Sequence, residues 1–183
     1  GLGDVYKRQS SNWVKMSKAS MKSCLPLFNS QRMVVDYVKH FYAPARSHYQ
    51  RLAADECAPA RRLADWKKKV HVNWKGISIR RMDEILQQIH EGESLPIVIH
   101  ASLNGLDAED VIVECVVGQR DDNGKFTTKE QYRFEHTGMQ GEEHVFELQL
   151  KPENPGLNHY KLRIYPWHEL LGHPFEMGYM IWI

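Results

Sequence analysis

The sequence has few cysteines, no long apolar run and almost no net charge. Cys24, Cys57 and Cys115 are scattered over 183 residues, which argues against a secreted disulfide scaffold and favours the reducing cytoplasm. No stretch approaches the roughly 18 apolar residues of a membrane span, and the start has no signal-peptide core. Lys plus Arg number 24 and Asp plus Glu 23, so neither nucleic acid nor an anionic membrane is an expected partner.

The sequence also lacks the motifs of common catalytic sites. It contains no G-x-S-x-G, no G-x-x-x-x-G-K-[ST] and no G-x-G-x-x-G. His168 and His173 are spaced i, i+5, about 140° apart on a helix, whereas a zinc-binding pair needs i, i+4. A loop is expected there, and the alternative of a zinc enzyme centred on His168 would require bound metal. We therefore predict no catalytic, cofactor-binding or metal-binding residue in this chain.

The first nine residues form a separate case. Residues 1–9 read G-L-G-D-V-Y-K-R-Q and show no tie to the sequence that follows. They resemble the translated adapter sequence found at the ends of some metagenome-derived reading frames. We expect them to be an artefact, and we expect the chain to be a fragment truncated upstream.

Residues 10–75 are predicted to form an amphipathic helical segment. Asn29 or Ser30 is a plausible N-cap, and Pro44 and Pro59 each lie where a new helix can begin. Two apolar stripes recur at helical spacing, and each needs a partner surface because helices this short are marginal alone. The stripes are Met33, Val34, Tyr37, Val38 and Phe41, and then Leu63, Trp66, Val70 and Trp74.

Residues 76–183 are predicted to form a seven-stranded antiparallel β-sandwich of immunoglobulin-like plan. Alternating apolar residues come at regular intervals, separated by turns such as Asn104-Gly105 and residues 121–124. Residues 82–91 are predicted to be an irregular connection, and the fold class is therefore α+β. The predicted strands are Ile77–Ile79, Ile97–Ala101, Val111–Val117, Tyr132–Phe134, Val145–Leu150, Tyr160–Tyr165 and about Phe175–Ile183.

Several motifs follow one another in a distinctive order. The helical segment carries Trp13-x2-Met16, Pro26–Tyr37, Tyr42-Ala43-Pro44 and Leu63–Lys67 with Trp74. The second part carries Leu103–Leu106, Asp110-Val111, Val113-Glu114, Tyr160, Arg163, Pro166, His168, Leu171, Pro174–Glu176 and Trp182. In this order, over about residues 12–183, they resemble the carboxy-terminal region of bacterial and archaeal α-glucan (glycogen or maltodextrin) phosphorylases.

The resemblance implies a parent enzyme with chemistry that this chain does not carry. Such enzymes are retaining glycosyltransferases with two Rossmann-like halves, the GT-B fold. They bind pyridoxal phosphate through a lysine and use inorganic phosphate to release glucose 1-phosphate from α-1,4-glucan. No lysine here lies in the family's pyridoxal motif, so the resemblance implies no cofactor in this fragment and an inactive fragment.

The resemblance also implies partners. Residues 10–75 would be the trailing helices of the glycosyltransferase, and residues 76–183 its extra sandwich domain. The missing N-terminal catalytic domains of the same protein would be the partner, with α-glucan bound through the parent. Phe28, Arg32 and Tyr37 are expected to pack where the last helices cross those domains.

A free-standing glycan-binding or protein-interaction sandwich is the alternative function. Exposed aromatic side chains could stack on sugar rings. Those expected to be exposed are Tyr165, Trp167, Tyr179 and Trp182. The simpler interpretation is a terminal strand that closes the core. The alternative predicts retention by glycogen or maltodextrin that is lost when an aromatic such as Trp167 is replaced.

Overall fold

The computed structural model describes residues 11–83, 93–121, 123–151, 153 and 159–183. These residues fall into two compact units, unit 1 within Gly1–Arg51 and unit 2 within Leu52–Ile183. Among the described residues, no helix combines the length and the apolar character that crossing a membrane requires.

Unit 1 contains two helices and the start of a third. Helix α1 spans Ser11–Cys24, α2 spans Ser30–Tyr37, a π-helical turn covers Val38–Tyr42, and α3 begins at Ala43 and continues to Asn73. Helix α1 ends just before Leu25-Pro26, as the proline predicts. Asn29 is the N-cap of α2, since its Oδ1 accepts the Arg32 backbone N–H at 2.7 Å, which confirms the predicted cap.

Helix α3 is interrupted within unit 2. Ala54 has extended backbone, and Asp55, Glu56 and Cys57 follow with φ of 47°, 54° and 64°. Left-handed backbone is unfavourable for such residues. Pro59 comes two residues later, in the first turn of the resumed helix, where its missing N–H costs no helical hydrogen bond. The predicted helix start at Pro59 therefore corresponds to a break in α3.

The second half of α3 packs into the core of unit 2. Leu63, Trp66 and Val70 of α3 are buried, as is Trp74 in the 3-10 turn that follows the helix, and Val70 is fully enclosed. They belong to one cluster with the inward residues of the sheets. The partner surface that this stripe requires is thus the β structure that follows it in the same chain.

Unit 2 contains eight strands within the described residues, in two antiparallel sheets of four. The first sheet has the order β1-β2-β6-β5 and the second the order β4-β3-β7-β8. The strands are β1 Ser78–Arg81, β2 Leu95–Ser102, β3 Val111–Arg120, β4 Phe126–Arg133, β5 Glu135–Gln140, β6 Glu143–Leu150, β7 His159–Pro166 and β8 Ile181–Trp182.

These strands confirm an α+β fold but correct the seven-stranded immunoglobulin-like sandwich. Strand β5 is not among the seven predicted strands; it is an exposed edge strand that pairs with β6. The last strand, predicted from about Phe175, is only Ile181–Trp182. Turns occupy the preceding segment, where Gly178 has a φ of 70°.

Alternate residues of both sheets meet in one core. Ile97 and Ile99 of β2, Cys115 of β3, Phe146 of β6 and Ile164 of β7 are buried in the same cluster. Burial raises the pKa of the Cys115 thiol to about 12, as expected for a thiolate without water. Cys115 is therefore a small apolar core residue, as its position in an alternating run predicts.

The hairpin between β3 and β4 has the predicted turn chemistry. The Asp121 carboxylate accepts the backbone N–H groups of Asn123 and Lys125 at 3.0 and 2.9 Å, and Gly124 has a φ of 77°. A left-handed residue at this position favours glycine. Of the predicted irregular connection at 82–91, residues 84–91 lie outside the described part of the chain.

Candidate functional site

The described part of unit 1 has no buried residue. Five residues of α2 and the π-helical turn form an apolar stripe, named here the α2 face, whose members are 45–61% exposed. Burying a side chain of this size stabilises by about 1.5–3 kcal/mol, so an exposed stripe of five marks a contact surface. The α2 face consists of Met33, Val34, Tyr37, Val38 and Phe41.

Polar residues lock the turn that presents the α2 face. The Asn29 side chain amide donates to the Leu25 carbonyl at 2.8 Å, in addition to capping α2. Arg32 donates through Nε to the Leu27 carbonyl and pairs with Asp36 at 2.7 Å. The α1–α2 turn is therefore held by local hydrogen bonds and leaves its apolar side chains outward.

The residues expected to pack on the parent's domains divide into two groups. Phe28 is 78% exposed, and Tyr37 lies on the α2 face with its ring 5.9 Å from that of Phe41. Arg32 instead bonds within its own turn. Phe28 and Tyr37 are available for an external contact, and their packing role stays a prediction.

In unit 2, α3 is attached to the turn before β3 by a polar network. Trp66 donates through Nε1 to Asp110 Oδ1 at 2.7 Å, and Lys69 bonds Asp107 and Asp110 at 2.7 and 2.8 Å. Burial acts to raise the pKa of the Asp110 carboxyl, but the bonds from Lys69, the Asp107 backbone and Trp66 hold it below its ordinary value. This network fixes the helix against the sheets. Hydrogen bonds to Asp107 and Asp110 raise the pKa of the Lys69 amine, so it stays protonated and is not a nucleophile.

A buried ion pair lies on the outer face of the second sheet. Glu114 of β3 is almost fully buried. Its carboxylate accepts a hydrogen bond from Nε of Arg163 on β7 at 2.6 Å. The Arg163 guanidinium also lies 5.0 Å from the Phe175 ring, 5.3 Å from that of Trp182 and 5.5 Å from that of Tyr165. Four parts of unit 2 therefore meet at Arg163: β3, β7, the segment after β7, and β8.

Of the four aromatic residues proposed for sugar stacking, one is clearly exposed. Trp182 is 49% exposed, whereas Tyr165, predicted to be exposed, is buried under the Phe175 ring at 5.0 Å. Trp167 is half-buried. Tyr179 is half-buried too, stacks on Trp74 at 5.6 Å and bonds His71 through its hydroxyl. Tyr179 therefore packs against the core, but from the segment before β8 and not from the long terminal strand of the simpler interpretation.

The segment that contains His168 and His173 is a series of turns. His168 and His173 each accept a backbone N–H through Nδ1, from Leu170 at 3.0 Å and from Phe175 at 3.1 Å. The predicted loop is confirmed there. Within the described ranges, no group of three or more His, Cys, Asp or Glu side chains is arranged to hold a metal ion.

A shallow depression of about 280 Å³ lies across β4, β5 and β6. Within it the Thr137 hydroxyl donates to the Glu147 carboxylate at 3.3 Å, and both side chains are exposed. The depression is lined by Arg133, Glu135, Thr137, Glu147, Leu148 and Gln149.

Residues 74–183 match the family described as the glycogen phosphorylase C-terminal domain. The similarity to individual proteins reaches further toward the N-terminus. The maltodextrin phosphorylase of Thermococcus litoralis is 29% identical over 182 residues, 97% of this chain and 21% of that protein. The glycogen phosphorylase of Mycobacterium bovis is 30% identical over 169 residues, 91% of this chain and 20% of that protein. No solved structure matches the chain.

Proposed function

The chain belongs to the glycogen phosphorylase family, in which residues 74–183 correspond to the C-terminal domain, and we propose that it is the C-terminal portion of an α-glucan phosphorylase. The proposed parent cleaves α-1,4-glucan, such as glycogen or maltodextrin, with inorganic phosphate and releases glucose 1-phosphate. The chain spans about a fifth of the length of the curated relatives it matches. In this proposal the catalytic centre lies in the remaining polypeptide, and this portion is inactive alone.

The exposed α2 face is the observation that carries the proposal. Unit 1 has no buried residue among those described, so its helices gain little from contacts with one another. Short helices draw most of their stability from packing on another surface. In the proposal, that surface belongs to the rest of the parent enzyme, which corresponds to the four fifths of the relatives' length outside the match. Phe28 and Tyr37 contact it.

In this proposal the parent binds pyridoxal phosphate outside this chain. A Schiff base requires a lysine in a pocket, and the depression across β4, β5 and β6 contains none. Lys67 and Lys69 are engaged with Glu176 and with Asp107 and Asp110. We therefore place the cofactor of the parent in its catalytic domains and propose no catalytic or cofactor-binding residue for this chain.

The same proposal includes the domain division and the compartment. Residues 10–75 are proposed as the trailing helices of the glycosyltransferase and 76–183 as its C-terminal β domain, supported by a family match that starts at residue 74. By packing alone, the second half of α3 belongs with the β domain. A cytoplasmic parent is supported by three free cysteines.

A chimeric enzyme tests the proposal. Residues 11–183 replace the matched C-terminal fifth of the Thermococcus litoralis maltodextrin phosphorylase, and glucose 1-phosphate release from maltodextrin is measured. The chimera is expected to be active. Tyr37→Glu in the chimera is expected to lower activity by roughly tenfold or more, because it buries an unpaired carboxylate in the contact.

Lys39→Glu is the matched control for that experiment. It introduces the same residue two positions away, on the polar side of the helix, and is expected to retain most of the activity. Equal activity of the Tyr37→Glu and Lys39→Glu chimeras would contradict a packed α2 face. Release of glucose 1-phosphate by the isolated chain would contradict its proposed inactivity.

A further inference from the structure

Two histidines meet on neighbouring strands of the first sheet. Nδ1 of His144 on β6 lies 3.2 Å from Nε2 of His136 on β5. The two imidazole ring centroids are 5.2 Å apart with planes inclined by 46°. The register of β5 shifts between His136 and Gly138, so the two histidines come together diagonally across the strand pair.

The pair lies where the core meets solvent. His136 pairs in register with the buried Phe146, and its ring is 5.3 Å from the Phe146 ring. His144 is half-buried and His136 is exposed. Phe146 thus supports the rings from the core side, while the two facing nitrogens remain accessible from the side of His136.

The facing nitrogens of the pair suit a shared metal ion. A neutral imidazole offers the lone pair of one ring nitrogen to a metal. In each ring, the nitrogen that faces the other histidine is close enough to bind the same ion.

We propose that His136 and His144 together bind one divalent transition-metal ion of the imidazole-preferring class, such as Ni²⁺, Cu²⁺ or Zn²⁺. Two metal–nitrogen bonds of 2.0–2.1 Å place their nitrogens roughly 3 Å apart in square or tetrahedral geometry, and the observed separation is 3.2 Å. Each ring binds through its facing nitrogen and keeps its single proton on the other one. Nothing in the proposed phosphorylase activity requires this ion.

In this proposal, water molecules occupy the remaining coordination positions of the metal ion. The described residues offer no third side chain in a metal-binding group, and the accessible His136 leaves room for solvent. A two-ligand site exchanges its ion readily, so this is a weak, reversible site. The competing explanation is a plain N–H···N hydrogen bond between neutral rings, which the same distance also suits.

Titration of the full chain with NiCl₂ separates the two explanations. Cys24 and Cys57 are exposed thiols and are replaced by serine throughout, because thiolates also bind such ions. Either His136→Gln or His144→Gln is expected to raise the Ni²⁺ dissociation constant by at least about tenfold, the lower end of the range for metal-site changes. The double variant is expected to lose no further affinity at this site.

His173→Gln is the matched control, since His173 is exposed and is not part of the pair. This variant is expected to bind Ni²⁺ with the same dissociation constant as the chain in which all histidines are intact. Paramagnetic broadening of amide signals locates the ion in the chain that carries only the two serine replacements and keeps both histidines, whatever the histidine variants do to folding. Broadening centred on residues 136–146 supports the proposal; broadening that spares them, or equal affinity in His136→Gln and His173→Gln, overturns it in favour of the hydrogen-bonded pair.

Discussion

Glu114→Ala is expected to destabilise unit 2 by about 3–5 kcal/mol, because it leaves the Arg163 guanidinium buried without its carboxylate. The Arg163 side chain is only 11% exposed, so water cannot replace the lost partner. Its contacts with Phe175 and Trp182 depend on the same guanidinium position. Urea unfolding followed by tryptophan fluorescence measures the free energy of unfolding.

Two further variants make that measurement specific. Glu109→Ala removes an exposed carboxylate close by in the chain and is expected to change the stability by less than about 0.5 kcal/mol. Glu114→Leu combined with Arg163→Met removes both charges and is expected to recover much of the lost stability. A Glu114→Ala variant as stable as Glu109→Ala would mean that the ion pair is not buried.

Trp66→Ala is expected to cost a similar amount, about 3–5 kcal/mol, the range for removing a large buried aromatic side chain. The Trp66 side chain packs in the core, and its ring centroid lies 5.1 Å from that of His168. Its Nε1 donates a hydrogen bond to Asp110. The substitution creates a cavity and also removes a hydrogen bond from a partly buried carboxylate. Thermal unfolding of unit 2 measures the effect.

A pair of valines in the same helix is the control. Val70 is fully buried and Val72 is 73% exposed, two positions apart in α3. Val70→Ala is expected to destabilise by about 2 kcal/mol, whereas Val72→Ala is expected to be neutral or slightly stabilising because alanine favours the helix. Equal effects at the two positions would contradict the packing of α3 on the sheets.

Periodic apolar patterns were read correctly where one face is buried. The stripe from Leu63 to Trp74 predicted a helix face that the structure buries. The alternation in β3 and β7 and the 121–124 turn predicted strands and a hairpin that are present. In each case the burial of one face imposes a period on the sequence.

Residues without such a period were misread. Strand β5 is at a sheet edge, so neither side of Glu135–Gln140 requires apolar residues. Its backbone hydrogen bonds to β6 do not depend on the side chains and cannot be predicted from the residue pattern. In the segment before β8, Phe175 and Ile181 suggest alternation, but Pro174 and Gly178 belong to turns. The aromatic residues there pack on His71 of α3 and on Arg163 instead of forming a long strand.

The polar contacts could not be predicted from the sequence either. Glu114 and Arg163 are 49 residues apart and meet because their positions on β3 and β7 are paired. His136 and His144 meet because β5 pairs with β6, which places His136 opposite Phe146 and diagonal to His144. Strand register is determined by the whole sheet, so such pairs become visible only with the structure.

Hydrogen–deuterium exchange of α1 and α2 tests the proposed covering of unit 1 most directly. Amide exchange is compared between the isolated chain and the chimera that carries residues 11–183 on the maltodextrin phosphorylase body. Amides of residues 11–42 are expected to exchange at least about tenfold more slowly in the chimera, because packing opposes local opening, while the β2 and β3 amides exchange alike in both. Equal exchange of residues 11–42 in the two proteins would contradict the claim that these helices pack on the rest of the enzyme.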